Sequence, residues 1–145
     1  MLILEGIVTR LAQDLKNEVN GSNGIIIVKC FNIIRTFVEQ NNYIMTFYPQ
    51  IEKIIFPIYE HLNRNNMEFV EDILAIILGQ ILKKKSIPSS MEALFPYFQN
   101  IFENRKGILG TLFQILNGYL LFGESVFLNN ANNIEFVSFN KNIKT

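Results

Sequence analysis

One short apolar pattern built around a proline occurs twice in this chain, thirty-nine residues apart. The first copy spans Ile55 to Tyr59 and the second spans Leu94 to Phe98, with Pro57 and Pro96 at the same place in each. A proline inside a helix costs on the order of 3 kcal/mol, because it removes a hydrogen bond and clashes with the preceding turn. Two prolines at matching places predict a repeated structural unit in which each proline bends its helix.

The repeat continues into the helix that follows each proline pattern. With a shift of thirty-eight residues, apolar positions of the first copy fall on apolar positions of the second, and they step by three and four as one face of a helix requires. The paired positions are Val70 with Ile108, Leu74 with Leu112, Ile77 with Ile115, Leu78 with Leu116, Ile81 with Tyr119, and Leu82 with Leu120. A period near forty residues with two helices per unit is typical of HEAT and armadillo arrays.

The composition favours a folded chain and argues against a nucleic-acid partner. Hydrophobic residues make up 49% of the 145 residues, and there are 13 Phe but only 4 Pro, so the chain can bury a core. The 13 basic residues are balanced by 13 acidic residues. A neutral chain has no broad electrostatic attraction to nucleic acid or to an anionic membrane, and we expect neither partner.

The cellular compartment is predicted from what the sequence lacks. Residues 1–6 carry no basic segment and no cleavage signal of a secretory leader. The strongest apolar run, Ile73 to Leu82, is interrupted by Gly79 and Gln80 and is shorter than the roughly 20 residues that cross a bilayer. The single cysteine, Cys30, cannot form an internal disulfide. We therefore expect a soluble intracellular protein without membrane insertion.

Hydrophobic spacing predicts an all-α fold of six helices. Their predicted ranges are Leu2 to Val19, Ile25 to Gln40, Phe47 to Leu62, Met67 to Lys84, a fifth helix capped by Ser89 or Ser90 and ending near Asn104, and Gly107 to Phe122. Paired in order, they predict an α-solenoid of about three HEAT-like hairpins, at residues 1–42, 43–86 and 87–123. Residues 124–145 are predicted to be a partial helix and a flexible tail.

Neither end of the predicted array resembles the polar capping repeat with which solenoids normally finish. We therefore expect the chain to be a piece of a longer solenoid or a truncated product. In either case the first and last helices would present apolar surface to missing neighbours. This surface predicts marginal stability and self-association.

Few residues have the character of a catalytic group. His61 is the only histidine, which argues against histidine-based triads and metal clusters. We expect this histidine at a surface or helix end. Cys30 would need a base and a lowered pKa to act as a nucleophile, and a buried structural thiol is the favoured interpretation. We predict no enzyme activity and no catalytic residue.

The remaining charged and glycine positions have structural explanations. Glu68, Glu71 and Asp72 fall in one predicted first helical turn, where acidic residues complement the helix dipole. The basic cluster at 83–85 complements the opposite end of the same helix, and it is short for a nucleic-acid patch. The glycines after residue 106 are not followed by the Gly-Lys-Ser/Thr of a phosphate loop. We predict no metal site and no cofactor, and no partner-binding residue can be assigned.

Two segments carry a resemblance to a known family. The segment 67–74 reads Met-Glu-Phe-Val-Glu-Asp-Ile-Leu, and the segment 86–94 reads Ser-Ile-Pro-Ser-Ser-Met-Glu-Ala-Leu. With the chain from Ile51 to Leu128, they resemble the importin-β (karyopherin-β) superfamily, and most of all its Ran-binding importin-seven/eight type. Here Val70 stands where that family has an aromatic residue, and Glu92 stands where it has a tryptophan.

The resemblance implies the carboxy-terminal half of a long nuclear transport receptor. Such receptors are curved HEAT solenoids that carry protein cargo through the nuclear pore and release it on binding the small GTPase Ran with GTP. The implied partners are protein cargo, Ran and the phenylalanine-glycine repeats of nucleoporins, and the implied localisation is nucleus and cytoplasm. The family's Ran contacts lie largely in amino-terminal repeats, so no binding residue is transferred to this chain.

Two functions from different classes therefore stand side by side. The first is a fragment of a nuclear transport receptor. The alternative is a HEAT-repeat scaffold or regulatory subunit of an unrelated complex, because solenoids host many partners. The segments at Met67 and Ser86 favour the first.

Overall fold

The computed structural model describes residues 2–17, 24–40, 46, 48–63, 68–87, 89–104 and 106–124. Within these ranges every regular element is helical and no strand is present, which confirms the predicted all-α class. The helices are α1 (Leu2–Lys16), α2 (Gly24–Gln40), α3 (Tyr48–Tyr59), α4 (Val70–Lys84), α5 (Ser89–Glu92), α6 (Phe95–Asn104) and α7 (Leu109–Phe122). Two 3₁₀ turns, Glu60–Asn63 and Lys106–Ile108, follow α3 and precede α7.

The six longer helices pack together around one hydrophobic core. α1 contacts both α2 and α3, α4 lies between α2 and α7, and α6 contacts α7. Arg35 lies near Asp72 and Glu39 lies near Lys83, so residue numbers rise together along α2 and α4. These two helices therefore run parallel to each other.

The buried residues of α2, α4 and α7 follow one shared pattern. Adding forty-three to a residue number in α2, and then thirty-eight, gives its counterparts on α4 and α7. Three sets of counterparts are buried in all three helices: Phe31, Leu74 and Leu112; Ile34, Ile77 and Ile115; Val38, Ile81 and Tyr119. Each of these helices therefore turns an equivalent face into the core.

The two proline patterns differ in local structure. Pro57 lies inside α3, which continues to Tyr59 and then tightens into a 3₁₀ turn. Pro96 is the second residue of α6, because a turn at residues 93–94 divides the predicted fifth helix into α5 and α6. The prediction that both prolines bend helix interiors is therefore wrong for Pro96. In a first helical turn the missing N–H costs nothing, since that N–H has no partner within the helix.

Other predicted boundaries shift by a few residues. α1 ends at Lys16 with a turn at Asn17, and the predicted extension to Val19 lies outside the described residues. A turn at residues 68–69 precedes α4. The predicted start of this helix, Met67, lies outside the described residues. Ser90 lies within α5, where its hydroxyl donates a hydrogen bond to the Glu52 carboxylate on α3. Of the predicted tail 124–145, only Glu124 is described.

Two buried tyrosines connect the helices through hydrogen bonds. The Tyr59 hydroxyl on α3 donates to the side-chain oxygen of Gln80 on α4. The Tyr119 hydroxyl on α7 donates to the backbone oxygen of Met91 on α5, at 2.5 Å. Burial raises the pKa of Tyr119 far above its ordinary value, so this hydroxyl stays protonated and remains a donor.

α7 also runs parallel to α4. Gly118 and Gly123 lie beside Ile81 and Ile87, so residue numbers rise together along these two helices.

Glycines allow α4 to approach both of its parallel neighbours. A Cβ added at Gly79 would lie 3.5 Å from the Val38 side chain of α2, which is an ordinary contact. A Cβ added at Gly118 of α7 would lie only 2.7 Å from the Ile81 side chain of α4. Val38 and Ile81 are counterparts, so the same kind of junction occurs on both sides of α4, and it is tighter at α7.

We expect Gly118→Ala to lower the free energy of unfolding by about 1–3 kcal/mol, the usual cost of overpacking a core. The added methyl group has to displace Ile81, which is fully buried. Chemical denaturation monitored by circular dichroism measures the change.

Gly110→Ala on the same helix is the matched control. No atom lies within 4 Å of a Cβ added there, so we expect no loss and a gain of up to about 1 kcal/mol from helix propensity. Equal effects of the two substitutions would contradict the close approach of α4 and α7.

Candidate binding groove

An open groove of about 680 Å³ runs along the outer side of α4. Arg35 and Glu39 of α2 line one wall, and Thr111 and Gln114 of α7 line the other. The middle helix forms the floor because it lies between two parallel-packed neighbours. The stacking of the helices therefore creates this surface.

The floor of the groove consists of α4 residues that step by three and four. In chain order the floor residues are Glu71, Asp72, Ala75, Leu78, Gly79, Leu82 and Lys83. At 1.5 Å per residue, its length is roughly 18 Å. Ala75 and Gly79 leave room above the helix axis, and Leu78 and Leu82 make part of the floor apolar. A groove of this shape fits a peptide segment of a protein partner.

Charged side chains occupy the α2 side of the groove. The Arg35 Nε donates to the Glu39 carboxylate across one helical turn, at 2.8 Å. The Lys83 ammonium lies 3.4 Å from the backbone oxygen of Glu39 and donates to it. Exposed pairs of this kind contribute at most about 1 kcal/mol to stability, because water screens them. Their main effect is to position polar groups along the groove.

At the acidic end of the groove, the negative charge of Asp72 is only partly balanced by its surroundings. Partial burial raises the pKa of Asp72, and the neighbouring Glu71 charge raises it further. The Arg35 charge and a backbone hydrogen bond oppose this shift but do not cancel it. The ionised Asp72 carboxylate is thus less stable in the folded protein than in water. A positive group of a partner would stabilise it.

A second groove of about 480 Å³ lies between α1 and α3. Its apolar part includes Val8, Ala12 and Ile54, and Pro57 borders it. Glu5 and Lys16 place opposite charges at its edges, together with Lys53 of α3. This groove involves α1 and α3, whereas the first groove involves α2, α4 and α7.

The two residues with catalytic character lie outside the α4 groove. His61 is in the 3₁₀ turn after α3, as predicted for a helix end, but its exposed fraction is only 7%, so the surface interpretation is wrong. Cys30 of α2 is half-buried, and burial raises the pKa of its thiol, with the Asp14 charge adding to the shift. A raised pKa lowers the thiolate fraction and hence the reactivity.

The acidic and basic clusters of α4 lie close to where the sequence predicts them. Glu71 and Asp72 are in the first turn of α4, and Lys83 and Lys84 are in its last turn. Lys85 ends the helix in a left-handed conformation, with its N–H bonded to the Ile81 oxygen at 2.8 Å. Among the described residues no group of acidic, histidine and cysteine side chains could hold a metal ion.

The sequence alone does not identify the groove residues of α2 and α7. Arg35 and Glu39 appear as an ordinary ion pair on a solvent-exposed face, and Thr111 and Gln114 as ordinary polar positions. Only the packing of α2 and α7 beside α4 brings them to one surface. No helix in the described part of the chain is long and apolar enough to span a membrane.

Comparisons with protein-family models, with curated proteins and with solved structures find no significant match.

We expect Asp72→Asn to raise the free energy of unfolding at pH 7, because it removes a carboxylate whose charged form the fold disfavours. The folded pKa lies above the unfolded pKa, so the native state binds more protons between the two values. Wild-type stability should therefore rise as the pH falls through the folded pKa, and the difference from the variant should shrink.

Urea denaturation of both proteins between pH 7 and pH 3 measures this difference, with Glu103→Gln on the exposed side of α6 as the control for removal of one negative charge. An Asp72→Asn variant that is destabilised at pH 7 would show that the attraction of Arg35 outweighs burial.

Proposed function

We propose that this chain is part of a nuclear transport receptor, built as a solenoid of HEAT-like hairpins, that binds protein cargo. The observation that carries the proposal is the equivalent burial of Phe31, Leu74 and Leu112 at the core faces of α2, α4 and α7. Neighbouring helices that turn equivalent faces into the core are typical of a stacked array. Extended surfaces of such arrays bind other proteins.

The segment that resembles the importin family supports the proposal through its packing. Phe69, the aromatic residue of that segment, is 7% exposed, and its ring centre lies 5.8 Å from that of Phe31 on α2. The segment thus joins the second hairpin to the first. The Ser-rich segment that opens the third hairpin does the same, since Ser90 bonds Glu52 of α3.

In this proposal cargo lies in the groove along α4. The apolar floor contacts an aliphatic or aromatic side chain, and the charges at Arg35, Asp72 and Lys83 orient polar groups of the cargo. Binding Ran with GTP, through contacts in the amino-terminal repeats of such receptors, releases the cargo. This role requires no cofactor and no catalysis. In this role the protein moves between nucleus and cytoplasm.

The groove between α1 and α3 is the proposed position for phenylalanine-glycine repeats. A phenylalanine ring fits between neighbouring helices whose facing side chains are apolar, here Val8, Ala12 and Ile54. This surface is separate from the cargo groove, so both partners can be bound together.

We expect immobilised wild-type chain to retain a phenylalanine-glycine peptide and to release the matched serine-glycine peptide. Ala12→Arg fills the groove between α1 and α3, so retention should fall at least about tenfold, as when an interface anchor is lost. Fluorescence anisotropy with labelled peptides measures the affinities.

Ala93→Arg, at an exposed turn between α5 and α6, is the control for the same chemical change and should leave retention unaltered. No retention by the wild-type chain, or equal retention of both peptides, would count against the receptor and favour a HEAT-repeat scaffold or regulatory subunit of an unrelated complex.

A further inference from the structure

An apolar stripe lies along the flank of α2 that faces away from α4. We call it the α2 stripe, and it consists of Ile26, Cys30, Ile33 and Phe37. The steps of four, three and four residues are those of a helix that packs along another helix. Ile26 is 47% exposed and Ile33 is 50% exposed, while Cys30 and Phe37 are half-buried. Arg35 and Glu39, which line the groove beside α4, lie on the opposite flank.

The stripe has a counterpart that is already covered inside the protein. Adding forty-three to its residue numbers gives a set that begins just before α4 and continues along this helix on the α2 side. The counterparts are Phe69, Ile73, Ile76 and Gln80, with exposed fractions of 7%, 2%, 0% and 0%. The same face that a neighbouring hairpin buries on α4 is thus open on α2. Its natural cover is the outer face of another hairpin of this kind.

A second apolar face lies on α7, at the other end of the described helices. The α7 stripe consists of Leu109, Phe113, Leu116 and Leu120, again in steps of four, three and four. It lies on the flank of α7 opposite Gly118, which faces α4. Leu120 is 40% exposed, Leu109 and Phe113 are half-buried, and Leu116 is buried with 3% exposure. The Phe113 ring also contacts the Phe102 ring of α6, with ring centres 6.1 Å apart. Neither stripe contains a charged residue.

We propose that a second copy of this chain places its α7 stripe on the α2 stripe of the first, so that copies associate head to tail. On the α2 side this junction repeats the burial that the counterpart face of α4 undergoes against α2 inside each copy. The inference rests on the stacking of hairpins proposed above and does not depend on nuclear transport. The two surfaces of the junction differ, so each copy keeps one stripe open for a further copy.

The head-to-tail arrangement makes a prediction that a symmetric dimer does not. Ile33→Glu disables only the α2 stripe, and Leu120→Glu disables only the α7 stripe. Both positions are exposed enough to accept a glutamate in the monomer. A charge buried in an apolar junction without a partner is costly, so each variant alone should associate at least about tenfold more weakly.

Sedimentation velocity of the full chain over a concentration series is the experiment. We expect wild type to form dimers and then longer chains as its concentration rises, and each variant to stay monomeric. An equimolar mixture of the two variants should form dimers and nothing larger, because it contains one intact stripe of each kind per pair.

Two controls separate this result from a general effect of charge. Ile25→Glu on α2 and Leu121→Glu on α7 replace residues that are 74% and 66% exposed and lie outside both stripes. We expect both controls to associate as wild type does. Circular dichroism of every variant checks that the helices are retained.

A wild-type chain that stays monomeric would overturn the proposal, and would mean that another segment or another protein covers the stripes. A Leu120→Glu variant that still dimerises would also overturn it, in favour of symmetric pairing through the α2 stripe. Neither result affects the retention of phenylalanine-glycine peptides, so the failure of this inference is distinguishable from the failure of the proposed receptor.

Discussion

The close approach of α4 to its two parallel neighbours is the constraint on which the rest of the structure depends. At each junction a glycine of the later helix meets a β-branched residue of the earlier one, Gly79 at Val38 and Gly118 at Ile81. Interiors pack at nearly crystalline density, so removal of one Cβ decides how near two helix axes come. A wider spacing would uncover core faces on all three helices. Because of this short spacing, α2 and α7 also form the two walls of the groove along α4.

Buried polar groups fix which turn of one helix meets which turn of the next. The Tyr59 hydroxyl of α3 donates a hydrogen bond to Gln80 of α4, while the Gln80 amide nitrogen has no hydrogen-bond partner among the described residues. An unpaired buried donor costs about 1–3 kcal/mol, so this position weakens the core while the tyrosine bond specifies the pairing of the helices. Apolar contacts alone would tolerate a shift by one turn more easily.

The sequence predicts the helices and their inward faces well because apolar spacing is a local signal. Leu74, Ile77 and Ile81 are predicted as one face and all three are buried, whereas Leu82, predicted on the same face, is 56% exposed. The break of the fifth helix before Phe95 is missed, since a proline pattern alone does not say whether its helix begins or bends there. The counterpart relation between α2 and α4 is missed too, because its forty-three-residue offset is hidden by different loop lengths. The groove walls depend on packing between distant segments, which no local pattern reports.

The two kinds of surface in this protein call for different partners. The α4 groove has charged rims at Arg35 and Asp72, so attraction of a partner there depends on ionic strength, because salt screens exposed charges beyond about 10 Å at 0.1 M. The α2 and α7 stripes carry no charge, and their burial against a second copy would be driven by removal of apolar surface from water, which salt does not weaken. A reversible partner suits the first surface and a structural neighbour suits the second. The two proposals thus place recognition and assembly on different flanks of the same parallel helices.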